Sequence, residues 1–97
     1  MATYIMLINY TDQGIRNVKD SPNRSDAAKA LAQNLGGEFK QIYMTLGAYD
    51  LVAVLELPDD AAAAKFALTT GALGNVRTTT LKAFNEAEYR DIIAALP

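Results

Sequence analysis

The segment Gly47-Ala48-Tyr49-Asp50, followed directly by the apolar run Leu51-Val52-Ala53-Val54-Leu55, constrains the fold more than any other part of the chain. Glycine and aspartate supply the chemistry of a hairpin tip: one takes a positive φ and the other bonds nearby amides. The strand that follows has no polar alternation, so both of its faces must be covered. A chain of 97 residues has few helices with which to do this. One face of the sheet is therefore expected to be closed by a partner subunit.

The rest of the pattern fits around this hairpin. Thr3 to Asn9 reads as a first strand, with Ile5 and Leu7 on one side and Tyr4, Met6 and Ile8 on the other. Thr11 or Asp12 can cap a short helix carrying Ile15 and Val18. Asp20-Ser21-Pro22 interrupts it, and Ser21 capping with Pro22 in the first turn restarts a longer helix. Ala28, Leu31 and Leu35 form its apolar stripe, which Gly36-Gly37 ends. Phe39 to Thr45 is the second strand, with Ile42 and Met44 expected on one face and Phe39, Gln41, Tyr43 and Thr45 on the other. Leu51 to Leu57 is the third. Pro58-Asp59-Asp60 opens a helix with carboxylates at its positive end, and Phe66, Ala67 and Leu68 give it bulk. Gly71 to Asn75 turns the chain into a threonine-rich fourth strand, Val76 to Phe84. Asn85-Glu86-Ala87-Glu88 has the form of a capping box before a last helix with Tyr89, Ile92, Ile93 and Leu96.

The order is β-α-β-β-α-β plus a terminal helix: one α+β domain over residues 1–97, ferredoxin-like, with a four-stranded antiparallel sheet. The first and third strands are central there, and these are the two that are apolar on both faces. Helices cover one face only. The other would expose more apolar surface than soluble monomers tolerate, which predicts a homodimer or higher even oligomer, sheet against sheet.

Composition narrows the function by exclusion. The nine Lys and Arg residues are dispersed and the net charge is −2, so no cluster neutralises phosphates and nucleic-acid binding is not expected. There is no cysteine and no histidine, which removes thiolate chemistry, the usual general base and the commonest metal ligands. Carboxylates do not converge in the pattern of a metal site, and Gly36-Gly37 follows a helix rather than opening one, so neither a metal nor another cofactor is expected. No apolar stretch approaches the ~20 residues of a membrane span, and the start lacks the charged region of a leader, so the expected setting is the cytoplasm.

Four segments together resemble the GYD-domain family: Thr11-Asp12-Gln13-Gly14-Ile15, Lys19-Asp20-Ser21-Pro22, Leu46-Gly47-Ala48-Tyr49-Asp50, and Gly71-Ala72-Leu73-Gly74-Asn75-Val76-Arg77-Thr78-Thr79-Thr80-Leu81. Here Ala48 stands between Gly47 and Tyr49-Asp50. The resemblance implies a dimeric α/β barrel and no particular activity. A fainter one is to the effector-binding domain of leucine-responsive-type regulators, whose N-terminal helix-turn-helix this chain lacks. The barrel group also holds cofactor-free monooxygenases, isomerases and haem enzymes, so fold alone selects none of them.

Candidate ligand-binding residues follow from position. Tyr49 and Asp50 could offer a hydroxyl and a carboxylate at a cavity mouth, although turn chemistry alone accounts for both residue types. Tyr43, with Gln41 and Thr45, would line the space between paired sheets, beside Tyr4 or Tyr10 if register allows; a wet interface would use the same residues. Arg77 suggests a carboxylate site, against the plainer reading of a half-exposed edge strand. Asn9 ends a central strand and is a further candidate. Three functions remain open: a homo-oligomeric small-molecule-binding or accessory module, a cofactor-independent oxygenase or isomerase using Tyr43, Tyr49 and Asp50, and a purely structural subunit.

Overall fold

The apolar residues on both faces of Ala2–Tyr10 (β1) and the apolar run Leu51 to Leu55 within Leu51–Leu57 (β3) suit these two strands to the centre of the sheet. In the computed structural model, which describes residues 1–97, the strand order is β2-β3-β1-β4, with β2 at Glu38–Met44 and β4 at Val76–Ala83. All neighbouring pairs are antiparallel. The helices are α1 (Asp12–Arg16), α2 (Ser21–Asn34), α3 (Asp60–Ala72) and α4 (Glu86–Ala94), with a 3₁₀ turn at Val18–Asp20. This is the ferredoxin-like α+β arrangement.

Register assigns the faces. Tyr4 lies opposite Leu55, Met6 opposite Ala53 and Ile8 opposite Leu51, so these six share the side covered by α2 and α3. The core there consists of Tyr4, Met6, Ala53, Leu55 and Leu57 from the sheet, Ala32 from α2, and Ala62, Ala63 and Phe66 from α3. Burying one large apolar side chain contributes about 1.5–3 kcal/mol, and Met6, Leu55 and Leu57 are completely buried.

Capping chemistry sets the helix ends. Asp59 accepts from the Ala62 amide (2.9 Å) at the start of α3. At α4, Asn85 accepts from the Glu88 amide (2.8 Å) while the Glu88 carboxylate accepts from the Asn85 amide (3.0 Å), a complete capping box.

Three local expectations are corrected. A β-bulge between Phe39 and Gln41 inserts Lys40 as an extra residue. It flips the alternation, so Phe39 joins Ile42 on the helix side and meets Phe66 at a ring-centroid distance of 6.4 Å. Ser21 does not cap α2. The helix begins at Ser21 after an uncapped Asp20, and the Ser21 hydroxyl instead pairs with the Tyr10 hydroxyl at 2.8 Å. Leu68 adds no bulk to the core, because it lies on the solvent side of α3.

The β1–α1 corner is fastened to the turn before β4. The Thr11 amide donates to the Asn75 carbonyl (3.1 Å), and the Thr11 hydroxyl donates to that of Gly74 (2.6 Å). The Gln13 amide group donates to the Leu73 carbonyl (3.2 Å) and to Asn75 Oδ1 (3.0 Å). Two of the segments singled out in the sequence thus meet in space as one staple.

Candidate functional site

The sheet face away from α2 and α3 carries Ile5 and Leu7 of β1, Val52 and Val54 of β3 and Leu81 of β4. One transverse row runs Tyr43, Val52, Leu7, Thr79; the next runs Gln41, Val54, Ile5, Leu81. Polar residues close both ends. Glu38, Glu56 and Thr3 form one margin, and Asn9 directly beside Arg77 forms the other. Tyr43 is 55% exposed at the β2 edge, its hydroxyl donating to Gln41 Oε1 (3.1 Å). The result is an apolar centre with a polar rim, the anatomy of an association surface.

At the hairpin, Gly47 takes φ 120°, a conformation that side chains disfavour, and Leu46 stands 97% exposed at the tip. Asp50 works as a strut. Its amide donates to the Ile8 carbonyl (2.9 Å), its carbonyl accepts from the Thr45 amide (2.9 Å), and its carboxylate accepts from the Tyr10 amide (2.9 Å). The Tyr49 carbonyl accepts from the Thr45 hydroxyl (2.6 Å). Asp50→Ala leaves the half-buried Tyr10 amide without its partner and is expected to cost about 1–2 kcal/mol, read from urea unfolding at fixed protein concentration. A loss below about 0.5 kcal/mol would show that the carboxylate does not hold this corner.

Tyr4 lies on the opposite face from Tyr43, and the two are not brought together. Its buried hydroxyl donates to Asp60 Oδ1 (2.6 Å), and Lys82 Nζ sits 3.2 Å from the same oxygen. Burial first, and the bond to Asp60 second, push the Tyr4 hydroxyl up from 10.0 to about 12. The Tyr4 bond, then Lys82, holds the Asp60 carboxyl below its ordinary value. The unfolded chain gives up the Tyr4 proton first. The stabilisation is therefore complete below the unfolded value of 10.0 and is lost as pH rises toward about 12. Tyr4→Phe keeps the ring in the core. Its urea midpoint should fall less than that of the wild-type chain over this alkaline range; equal falls would contradict the assignment.

A cavity of about 80 Å³ opens between the sheet and the two helices. Ten of its 16 lining residues are hydrophobic. Phe39, Met6 and Ala53 line it from the sheet and Phe66 from α3, and Ser21, Arg24, Ser25 and Ala28 bring one face of α2 along its side. The spacing of those four, i, i+3, i+4 and i+7, puts them on a single helical stripe. None of Tyr4, Asn9, Tyr43, Tyr49, Asp50 or Arg77 lines it. Sequence reasoning missed this site because its signal is faint: small residues at Ser25, Ala28 and Ala53, where bulk would be usual for a core.

A family model of the GYD domain matches residues 4–93. A Thermus thermophilus protein named glutamine synthetase and cystathionine beta-lyase binding protein is 35% identical over 97 residues, which cover 99% of each chain. The crystal structure of TTHA0845, also from Thermus thermophilus, is similar with a TM-score of 0.51 at 31% identity, covering 88% of this chain and 95% of that one. No helix of the chain is long and apolar enough to cross a membrane.

Proposed function

The chain belongs to the GYD domain family, and from that footing we propose that it is a homo-oligomeric binding module that associates with other proteins as an accessory factor. The observation that carries the first half is the uncovered apolar centre at Ile5, Leu7, Val52, Val54 and Leu81. A second copy laid across it, sheet against sheet, removes this surface from water and completes a dimeric α/β barrel. Tyr43, Asn9 and Arg77 then border the seam, with Tyr49 and Asp50 in the hairpin beside it. A small ligand held at that polar margin belongs to the same proposal, as does a cytoplasmic setting.

The second half is supported by the printed name of the Thermus relative. Helix α4 offers a surface of fitting character, since Tyr89 is 57% and Ile93 52% exposed along it. Short amphipathic helices of this kind dock by their apolar stripe in partner grooves. The test is binding to immobilised glutamine synthetase and cystathionine beta-lyase. Saturable binding to at least one, at about 100 μM or below, is the expected result, and binding to neither would remove the accessory role.

A further inference from the structure

We propose that the cavity under α2 and α3 is a binding site for a small apolar carboxylic acid, with Arg24 as the residue that takes the carboxylate. Native interiors contain few voids larger than a water molecule. A water needs about 10–15 Å³ of such space, so the cavity, at about 80 Å³, admits about five to eight non-hydrogen atoms. That is the bulk of a branched alkyl chain or a phenyl ring.

The cavity is graded from apolar to polar. The row Met6–Ala53–Ile42 is its deep end, and Ile8 with Leu51 and Thr78 forms the next row outward. Beyond them Val76 pairs with Tyr10, whose hydroxyl holds Ser21 at the start of α2. Arg24, Ser25 and Asn75 therefore stand at the outer end, above an apolar floor.

Arg24 is positioned but not neutralised. One guanidinium nitrogen donates to the Asn17 carbonyl (3.0 Å) and another to that of Gly14 (3.3 Å), and it forms no ion pair with a carboxylate of the chain. Two backbone carbonyls fix the fork while leaving donors over. The first turn of α2 contains no acidic residue, and Asp20 directly before it makes no capping bond, so the free amides of the helix start add to the field of Arg24 against that single carboxylate. Ser25 and Thr78 line the same space without a hydrogen bond to the protein from either hydroxyl. One cation with neutral hydroxyls suits a monoanion, and the floor suits its hydrocarbon part.

The site is on the face opposite the one proposed for pairing, so it stands independently of the oligomer. It is tested by titrating the ¹⁵N-labelled chain with 4-methylpentanoate and with phenylacetate, following amide shifts, with the matching primary amides as uncharged controls. Saturable shifts at Arg24–Ala28, Ala53 and Thr78 are expected, with both amides at least about tenfold weaker. Arg24→Gln should weaken the acids by a similar factor. Ala28→Leu, which fills the cavity without touching the guanidinium, should abolish binding while retaining a dispersed spectrum. No saturable shift by either acid at about 10 mM, equal binding of acid and amide, or full binding by Ala28→Leu would each overturn the proposal.

Discussion

Gly14→Ala is expected to destabilise the fold by about 3 kcal/mol or more, among the larger effects a single methyl group can have. Gly14 is buried in α1, and a Cβ built on it would overlap the Asn75 carbonyl oxygen and crowd the Asn75 backbone behind it. Backbone cannot rotate away as a side chain can. Either α1 lifts or the turn before β4 withdraws, and both movements strain the bonds from Thr11 to Asn75 and Gly74 and from Gln13 to Leu73 and Asn75. Overpacking costs about 1–3 kcal/mol, and each hydrogen bond lost adds about 1 kcal/mol. For a domain of this size 1 kcal/mol corresponds to about 4–8 °C in Tm, so a fall of at least about 12 °C is expected by circular dichroism at fixed concentration. A fall below about 4 °C would mean that the corner is not a rigid staple.

Leu51→Glu and Val52→Glu are expected to fail in different ways, although the residues are neighbours. Leu51 pairs with Ile8 on the helix side and lines the cavity. A carboxylate there loses water, and Arg24, held by two backbone carbonyls at the outer end of the cavity, offsets only part of a cost of several kcal/mol, so the chain should be strongly destabilised or aggregated. Val52 sits between Tyr43 and Leu7 on the open face, where a lone subunit would keep the carboxylate hydrated. Its subunit should fold, but two carboxylates brought together across a dimer seam are desolvated and repel, so this variant should be a folded monomer. A Leu51→Glu chain as stable as the wild type, or an undisturbed Val52→Glu oligomer, would contradict the face assignment. Concentration must be held constant in the comparison, because dissociation by itself lowers apparent stability.

The contrast between these neighbours also marks what could be read from sequence. The apolar runs of β1 and β3, the Asp59 cap, the Asn85–Glu88 capping box and the positive-φ Gly47 are local signals, each decided within a few residues, and the structure has them where the pattern puts them. Phe39 was assignable only with knowledge of the bulge at Lys40, which no residue type announces. Ser21 looks like a cap until Tyr10, eleven positions away, takes its hydroxyl. Tyr4 and Tyr43 have the same chemistry but face opposite sides of the sheet, so a pocket shared by both was never available. The cavity is hardest to foresee, since it arises from how α2 sits over the sheet and from what Ser25, Ala28 and Ala53 lack. Of the candidate residues, Asn9, Arg77 and Tyr43 lie on the open face, and Asp50 is occupied in holding the end of β1.

The pairing of two apolar sheet faces is tested most directly by the native mass of the chain, purified gently from its producing cells. An even oligomer is expected, falling to the single-subunit mass of about 10.5 kDa in Val52→Glu. A clean monomer from the wild-type chain at micromolar concentration would contradict it, because Ile5, Leu7, Val52, Val54 and Leu81 would then face water in the native protein.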